Sequence, residues 1–461
     1  MRRRGHVLLE GAVGVALAIV LGRGLGPRAA LAAPGPADFS VFAYELELRI
    51  DRGLKVVAGR EKIRLRGTGE KLASVAFPLN GIEVRSVTSV HGDPFVTLTA
   101  NDQLEVRLPG PIARGQELAM VVEYSAAAPK WVEFRADAVY TAFHTCTWMV
   151  CRDRPDDKAT FTLGITVPDG LTLVASGMPV GGRRPEGEAG RQIWRERVPS
   201  SPYLFGFVLG RLSRTARTHR GVTLEYFAPP EDEARLQQLF ADDDRMLDFF
   251  VAKAGRPLPR PFYRQVVVEG SAAQELTSLS ILGRSQLEPR LQDPTEDWLV
   301  AHELAHQFWG NLVTCADWSH FWLNEGVTVF MVAAYKQQRW GEPSYERELA
   351  LLRARHQWAV DANFDVPLTF GGEYPSLRLR RAIDYSKGAL FVARLRDVMG
   401  ERAFWAALGK YTRRFAGRAA TTQDFQAVFA AETQADLSKL FEEWAYGRGP
   451  SPEKTDENER P

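Results

Sequence analysis

The spacing of apolar residues changes once along this chain, and that change limits the folds open to it. Over about residues 41–213, short runs alternate apolar and polar positions. Examples are Tyr44-Glu45-Leu46-Glu47-Leu48-Arg49-Ile50, Glu61-Lys62-Ile63-Arg64-Leu65, Leu104-Glu105-Val106-Arg107-Leu108 and Phe161-Thr162-Leu163-Gly164-Ile165-Thr166-Val167. Gly, Pro, Asp and Asn punctuate them, as in a β-sandwich or a large open sheet. The stretch 181–190, rich in Gly, Arg and Glu, reads as a solvent-facing loop. After residues 222–227 the period lengthens. Residues 234–254 read as helix, 265–269 as a short buried strand, and most of 294–446 as helix. No internal repeat is present. The expectation is a multidomain α+β protein. An all-β saddle or sandwich domain spans 38–215, and a mostly helical domain with a small sheet spans 216–448. Residues 449–461 form a polar, disordered tail.

Within the helical half, His302-Glu303-Leu304-Ala305-His306 is followed nineteen residues later by Glu325. Histidines at i and i+4 leave one face of a helix about one turn apart, which suits two ligands of a single zinc ion. Glu303, on the same turn, is placed to act as general base on the water that a catalytic zinc leaves room for. Glu325, in Trp322-Leu323-Asn324-Glu325-Gly326, is the expected third ligand at the start of a second apolar helical run. Two His, one Glu and an open fourth position describe a catalytic site with one zinc per chain, since a structural site would use four protein ligands. Asp293 as cap, Pro294 as first residue, Glu296 at the third position and Gly310 as stop frame the expected histidine helix.

Composition bears on what the chain does not do. A formal net charge of +1 supplies no general field for nucleic acid or a membrane surface, and no nucleic-acid-binding motif is read. Arg2-Arg3-Arg4, the apolar run 11–22 and the small-residue stretch Ala30-Leu31-Ala32 read as an export signal over residues 1–32, either cleaved or kept as an N-terminal anchor. The mature chain is then periplasmic or extracellular. Of the three cysteines, Cys146 and Cys151 are close enough in sequence to bridge after export. That would leave Cys315 buried and free; equally, all three read as small apolar packing residues.

The combination of His302–His306, Gly310-Asn311-Leu312-Val313-Thr314 and Trp322–Gly326 resembles the gluzincin aminopeptidases, the aminopeptidase N and leukotriene hydrolase family. Cys151-Arg152-Asp153-Arg154-Pro155-Asp156-Asp157-Lys158-Ala159 is similar to that family's turn in its N-terminal β domain. Tyr385-Ser386-Lys387-Gly388 matches its Tyr-x-Lys-Gly element. The likeness covers about residues 40–448 and implies a thermolysin-like catalytic domain acting on peptides. It implies that Tyr385 stabilises the oxyanion formed when water attacks a peptide carbonyl. It also implies a glutamate that pairs with the substrate's free α-amino group. In Gly270-Ser271-Ala272-Ala273-Gln274-Glu275-Leu276 two registers place either Glu275 or Gln274 there, and Glu275 is preferred because Leu279 then falls on the family's following leucine.

Two departures accompany the likeness. The family's upstream glutamine, which also holds the amine, has no counterpart in Tyr140-Thr141-Ala142-Phe143-His144-Thr145, so amine recognition is expected to be built differently. His144 lies close by, where a lone histidine is more often structural. The roofing helical domain of full-length relatives has no counterpart after residue 447, so a more open cleft is expected. The expected activity is aminopeptidase action. An endopeptidase, another hydrolase on the same zinc site, or an exported zinc-containing binding protein are the alternatives. Nothing in the sequence fixes the oligomeric state or the side chain preferred at the scissile bond.

Overall fold

A computed structural model describes residues 38–182 and 187–447. The expected signal segment 1–32 and tail 449–461 lie outside the described residues, as does part of the 181–190 loop. Among the described residues no helix is long and apolar enough to cross a membrane.

The alternating runs form strands, as their period requires. The largest sheet has seven strands, in the order Met178–Pro179, Gly190–Ser200, Ala159–Val167, Phe39–Asp51, Val56–Gly67, Glu117–Ala127 and Glu83–Ser89. Its centre is the antiparallel pair Phe39–Asp51 and Val56–Gly67, with Ala159–Val167 parallel to the first of these. Tyr44, Leu46 and Leu48 are buried while Glu45, Glu47 and Arg49 face water, so period-two patterning sets which face is core. Strands Leu72–Pro78, Gln103–Ile112 and Val96–Ala100 form a second sheet, and four short strands form a third. All share one apolar core.

A five-stranded sheet joins this half to the helices. Its order is Ser213–His219, Val222–Ala228, Phe262–Val268, Leu279–Gly283 and Ala273–Gln274, with antiparallel pairs at each edge and parallel pairs between. Val266, Val268, Leu279 and Ile281 sit in the β core, whereas Tyr263, Val267 and Leu282 sit in the helical core. Apolar runs buried on both faces are what a largely parallel sheet between two layers needs. Its first strand, Ser213–His219, crosses the boundary expected at 215/216. The helix expected over 234–254 is broken, into Leu236–Leu239 and Asp243–Ala254.

Side chains fasten the two halves at the turn 151–159. Val150 N–H donates to the buried Glu61, and both Asp157 oxygens accept Val41 N–H at 3.2 Å. Lys158 Nζ crosses to the helical half, donating to Asn311 O at 3.1 Å and Thr314 Oγ1 at 2.6 Å. Tyr203 Oη donates to Gly310 O at 3.2 Å. The loop 310–314, just after the expected zinc histidines, is therefore held from the β half.

Burial lowers the Lys158 amine to about 7. The unfolded chain keeps this proton until about pH 10.4, so the native state binds fewer protons between those values and stability rises with pH there. In Lys158→Met that rise should disappear. Chemical denaturation at about pH 7 and about pH 9.5 should show the parent gaining on the order of 1 kcal/mol over the variant, a figure reduced for the part of the side chain water still reaches. An unchanged difference at the two pH values would contradict this.

Candidate active site

The histidine helix runs Trp298–Ala305, with His306 at its C-cap. It does not begin at Pro294 as the capping signal suggested. Asp293 instead ends the preceding helix, Arg284–Gln292, and accepts Thr295 N–H and Oγ1–H at 2.8 Å. Asp297, the residue before Trp298, makes no cap bond; its carboxylate accepts Trp340 Nε1–H at 2.9 Å and lies 3.8 Å from Lys336 Nζ. At the other end Gly310 does turn the chain, at φ +124°.

The second helix, Trp322–Trp340, is buried from Trp322 through Lys336. It crosses the segment carrying Tyr385 backbone to backbone. A methyl group on Gly326 would stand 2.7 Å from Gly388 Cα, so both glycines are needed for the approach. This contact explains the Gly that follows Glu325 and the Gly that follows Lys387. Tyr385 lies on a π-helical turn, Arg381–Lys387, and such turns recur at functional sites. Lys387 is buried and donates to Asp365 Oδ1 and Val366 O, both at 2.8 Å, which anchors that turn.

These elements bring His302, His306 and Glu325 together. The two Nε2 atoms are 3.0 Å apart, and Glu325 Oε2 lies 3.5 Å from His302 Nε2 and 3.3 Å from His306 Nε2. Ligands bound at about 2.0–2.2 Å around a tetrahedral ion stand roughly 3.3–3.6 Å from one another, so the two edges to Glu325 have the right size for zinc and the His302–His306 edge is a few tenths of an ångström short of it. His306 Nδ1 faces Trp309 O at 3.0 Å. A carbonyl only accepts, so the proton sits on Nδ1 and the Nε2 lone pair points to the centre. Thr328 Oγ1 donates to the same carbonyl at 3.0 Å, and Trp298 stacks on the His302 ring at 4.4 Å. Glu325 Oε2 and Glu303 Oε2 are buried without a hydrogen-bond partner among the described residues, as atoms awaiting a cation and a reacting water would be.

The electrostatics agree with that fit. Burial, then the charge of His306, brings His302 down to about 4, which keeps it a neutral ligand. Burial works against protonating His306, but Glu325, Glu275 and Glu303 outweigh it and raise it to about 10; a cation bound at Nε2 would answer the same negative field in place of that second proton. Glu303, 3% exposed, is pushed well above the carboxylate range by burial and then by Glu275 and Glu325, with His306 opposing. Tyr385 is raised by burial and by Glu325 and so stays a phenol; its ring lies 6.1 Å from that of His302.

Glu275 lies at the end of the edge strand, 9% exposed, with its carboxyl in the field of His306 and Glu325. The Gln274 carboxamide lies between Phe143 N–H and the Glu275 carboxylate. Sequence reasoning missed the residues that hold this strand. Gln307 donates to Leu276 O at 3.2 Å and accepts Ser278 N–H at 2.9 Å, and Asn311 donates to Glu275 O at 3.1 Å. Asn324, beside Glu325, donates to Tyr203 Oη at 2.9 Å. Only their neighbourhood to His306 and Glu325 in sequence could have signalled them. Cys146 and Cys151 are bridged, and Cys315 is free and buried.

Residues 260–444 match the peptidase family M1 domain. That segment takes in the histidine helix, the Glu325 helix and the Tyr385 turn. It is 29% identical over 332 residues to leucine aminopeptidase 2 of Emericella nidulans, covering 68% of this chain and 52% of that one. It is 25% identical over 431 residues to leukotriene A-4 hydrolase of Xenopus laevis, covering 85% and 68%. The chain thus spans about half the length of the leucine aminopeptidases it matches. An M1 zinc metallopeptidase from Deinococcus radiodurans shares the fold, with a TM-score of 0.75, 24% identity, and 90% and 95% of the two chains covered. The β-rich half followed by the helical half is therefore an arrangement this chain shares with that solved structure.

Thr328 predicts a result for metal affinity. Thr328→Val removes a donor that fixes the Trp309 carbonyl against His306, and should weaken zinc binding roughly tenfold in a chelator competition. Glu325→Gln should lose tight zinc altogether. Parent-like affinity in both variants would contradict the ligand set.

Proposed function

We propose that this chain is a zinc aminopeptidase that removes single N-terminal residues from peptides. The observation that carries the reading is the buried carboxylate of Glu275, held beside the His302, His306 and Glu325 triangle where it can pair with an α-ammonium group. His302, His306 and Glu325 would hold the zinc. Zinc bound there supplies a Lewis acid that polarises the scissile carbonyl and makes water a better nucleophile.

The remaining steps belong to the chain's own side chains. Glu275 fixes the substrate's amine, so that the first peptide bond, and no later one, falls at the reacting position. Glu303 takes a proton from the attacking water at its unpartnered Oε2 and passes it to the leaving nitrogen. Tyr385 donates its phenolic hydrogen to the oxyanion as charge develops there. A mutant of an M1 zinc metallopeptidase from Deinococcus radiodurans has been solved bound to a Tyr-Ser-Ala substrate, which supports a peptide as the substrate class here. Export through residues 1–32 completes the reading, and the Cys146–Cys151 bridge supports an oxidising compartment.

Glu303→Gln should keep its zinc and lose kcat by roughly a thousandfold. Tyr385→Phe should lower kcat by about a hundredfold with little change in KM. Steady-state kinetics with metal analysis of each purified variant checks both. Near-parental turnover in Glu303→Gln would sink the mechanism.

A further inference from the structure

The residue before the proposed amine anchor is a glutamine with no role in the mechanism above, and it is more buried than the anchor itself. Gln274 is 1% exposed, in the two-residue edge strand paired with Leu279–Gly283. Its Oε1 accepts a close hydrogen bond from Phe143 N–H. Its Nε2 lies 3.2 Å from Glu275 Oε2. A backbone N–H can only donate, so the amide oxygen must face Phe143 and the NH2 must face the carboxylate. The orientation of this carboxamide is thereby fixed from outside.

Each end of that bridge meets something that needs it. Phe143 has φ +54°, the left-handed region, where a non-glycine residue stays only if its surroundings hold it. Its ring packs edge-on against Trp131 at 5.1 Å. At the other end Glu275 is a buried carboxylate close to two others, Glu303 and Glu325, and burial works against its charge. An amide N–H donated to it favours the ionised form and holds its rotation.

The backbone around Glu275 has separate supports. Asn311 binds the carbonyls of Glu275 and Leu276, Gln307 binds Leu276 O, and Thr277 N–H donates to Leu204 O. The carboxamide of Gln274 instead binds the Glu275 carboxylate itself, which the backbone N–H of Glu275 also approaches.

We propose that Gln274 is a positioning residue for amine recognition. Its carboxamide occupies Oε2 of Glu275, holds the carboxylate aimed, and leaves the remaining lone pairs to the substrate's ammonium. It also ties that anchor to the 142–144 loop of the β half, so the amine subsite is assembled across both halves. This rests on the aminopeptidase reading.

The test is a double-mutant cycle of Gln274→Met and Glu275→Gln, read with an aminoacyl 4-nitroanilide that the parent hydrolyses and with its N-acetylated form. Gln274→Met should raise KM for the free amine about tenfold and leave kcat within about threefold. On the Glu275→Gln background it should add almost nothing, because its effect passes through that carboxylate. A purely structural role would give equal losses on both backgrounds. Zinc content and melting temperature report folding, and Gln274→Ala carries the cycle if the Met variant does not fold. An unchanged KM, or equal losses on both backgrounds, overturns the inference while Glu275→Gln still abolishes the preference for a free amine. If Glu275→Gln leaves that preference intact, the aminopeptidase reading fails with it.

Discussion

Three carboxylates, from Glu275, Glu303 and Glu325, are buried around two imidazoles in the space between the edge strand and two helices. Like charges taken out of water are costly unless a cation or hydrogen bonds compensate. Here the compensation converges on one point, between His302 Nε2, His306 Nε2 and Glu325 Oε2. Much of the surrounding structure serves to hold the five groups in place against their repulsion. The Gly326 and Gly388 crossing presses the Glu325 helix onto the Tyr385 turn. Trp309 O fixes the His306 tautomer, and Lys387 anchors the π-helical turn on Asp365.

The β half takes part in this. Lys158 and Tyr203 hold the 310–314 loop, Asn324 ties that contact to the residue next to Glu325, and Phe143 meets Gln274. The five-stranded sheet, with one face in each core, is the rigid plate through which the halves act as one. Removing the β half would strip partners from the loop just after His306, and the loss would extend beyond stability.

How much of this could be read from the chain alone depended on the range of the interaction. Period-two alternation placed Tyr44, Leu46 and Leu48 inward, and i, i+4 spacing put His302 and His306 on one face, because both signals are local. Glu325 and Tyr385 were legible through short motifs whose glycines mark a close helix crossing. The start of the histidine helix was misread because Asp293 and Pro294 form a good local cap signal, while Asp297 was already engaged by Trp340 and Lys336. Gln274 was legible only as the other register for the amine anchor, and the structural roles of Lys158, Tyr203 and Thr328 were not legible. Their roles depend on partners 19 to 156 residues away, and no periodicity encodes such a meeting.

The account holds that an ammonium at Glu275 sets the reacting bond, and a single peptide tests this directly. A ten-residue peptide with a free N-terminus, and the same peptide acetylated, would be followed by mass spectrometry over time with the zinc-loaded chain. The account predicts stepwise loss of one residue at a time from the free peptide, and an acetylated peptide that stays intact. Internal fragments from both peptides at similar rates would contradict it.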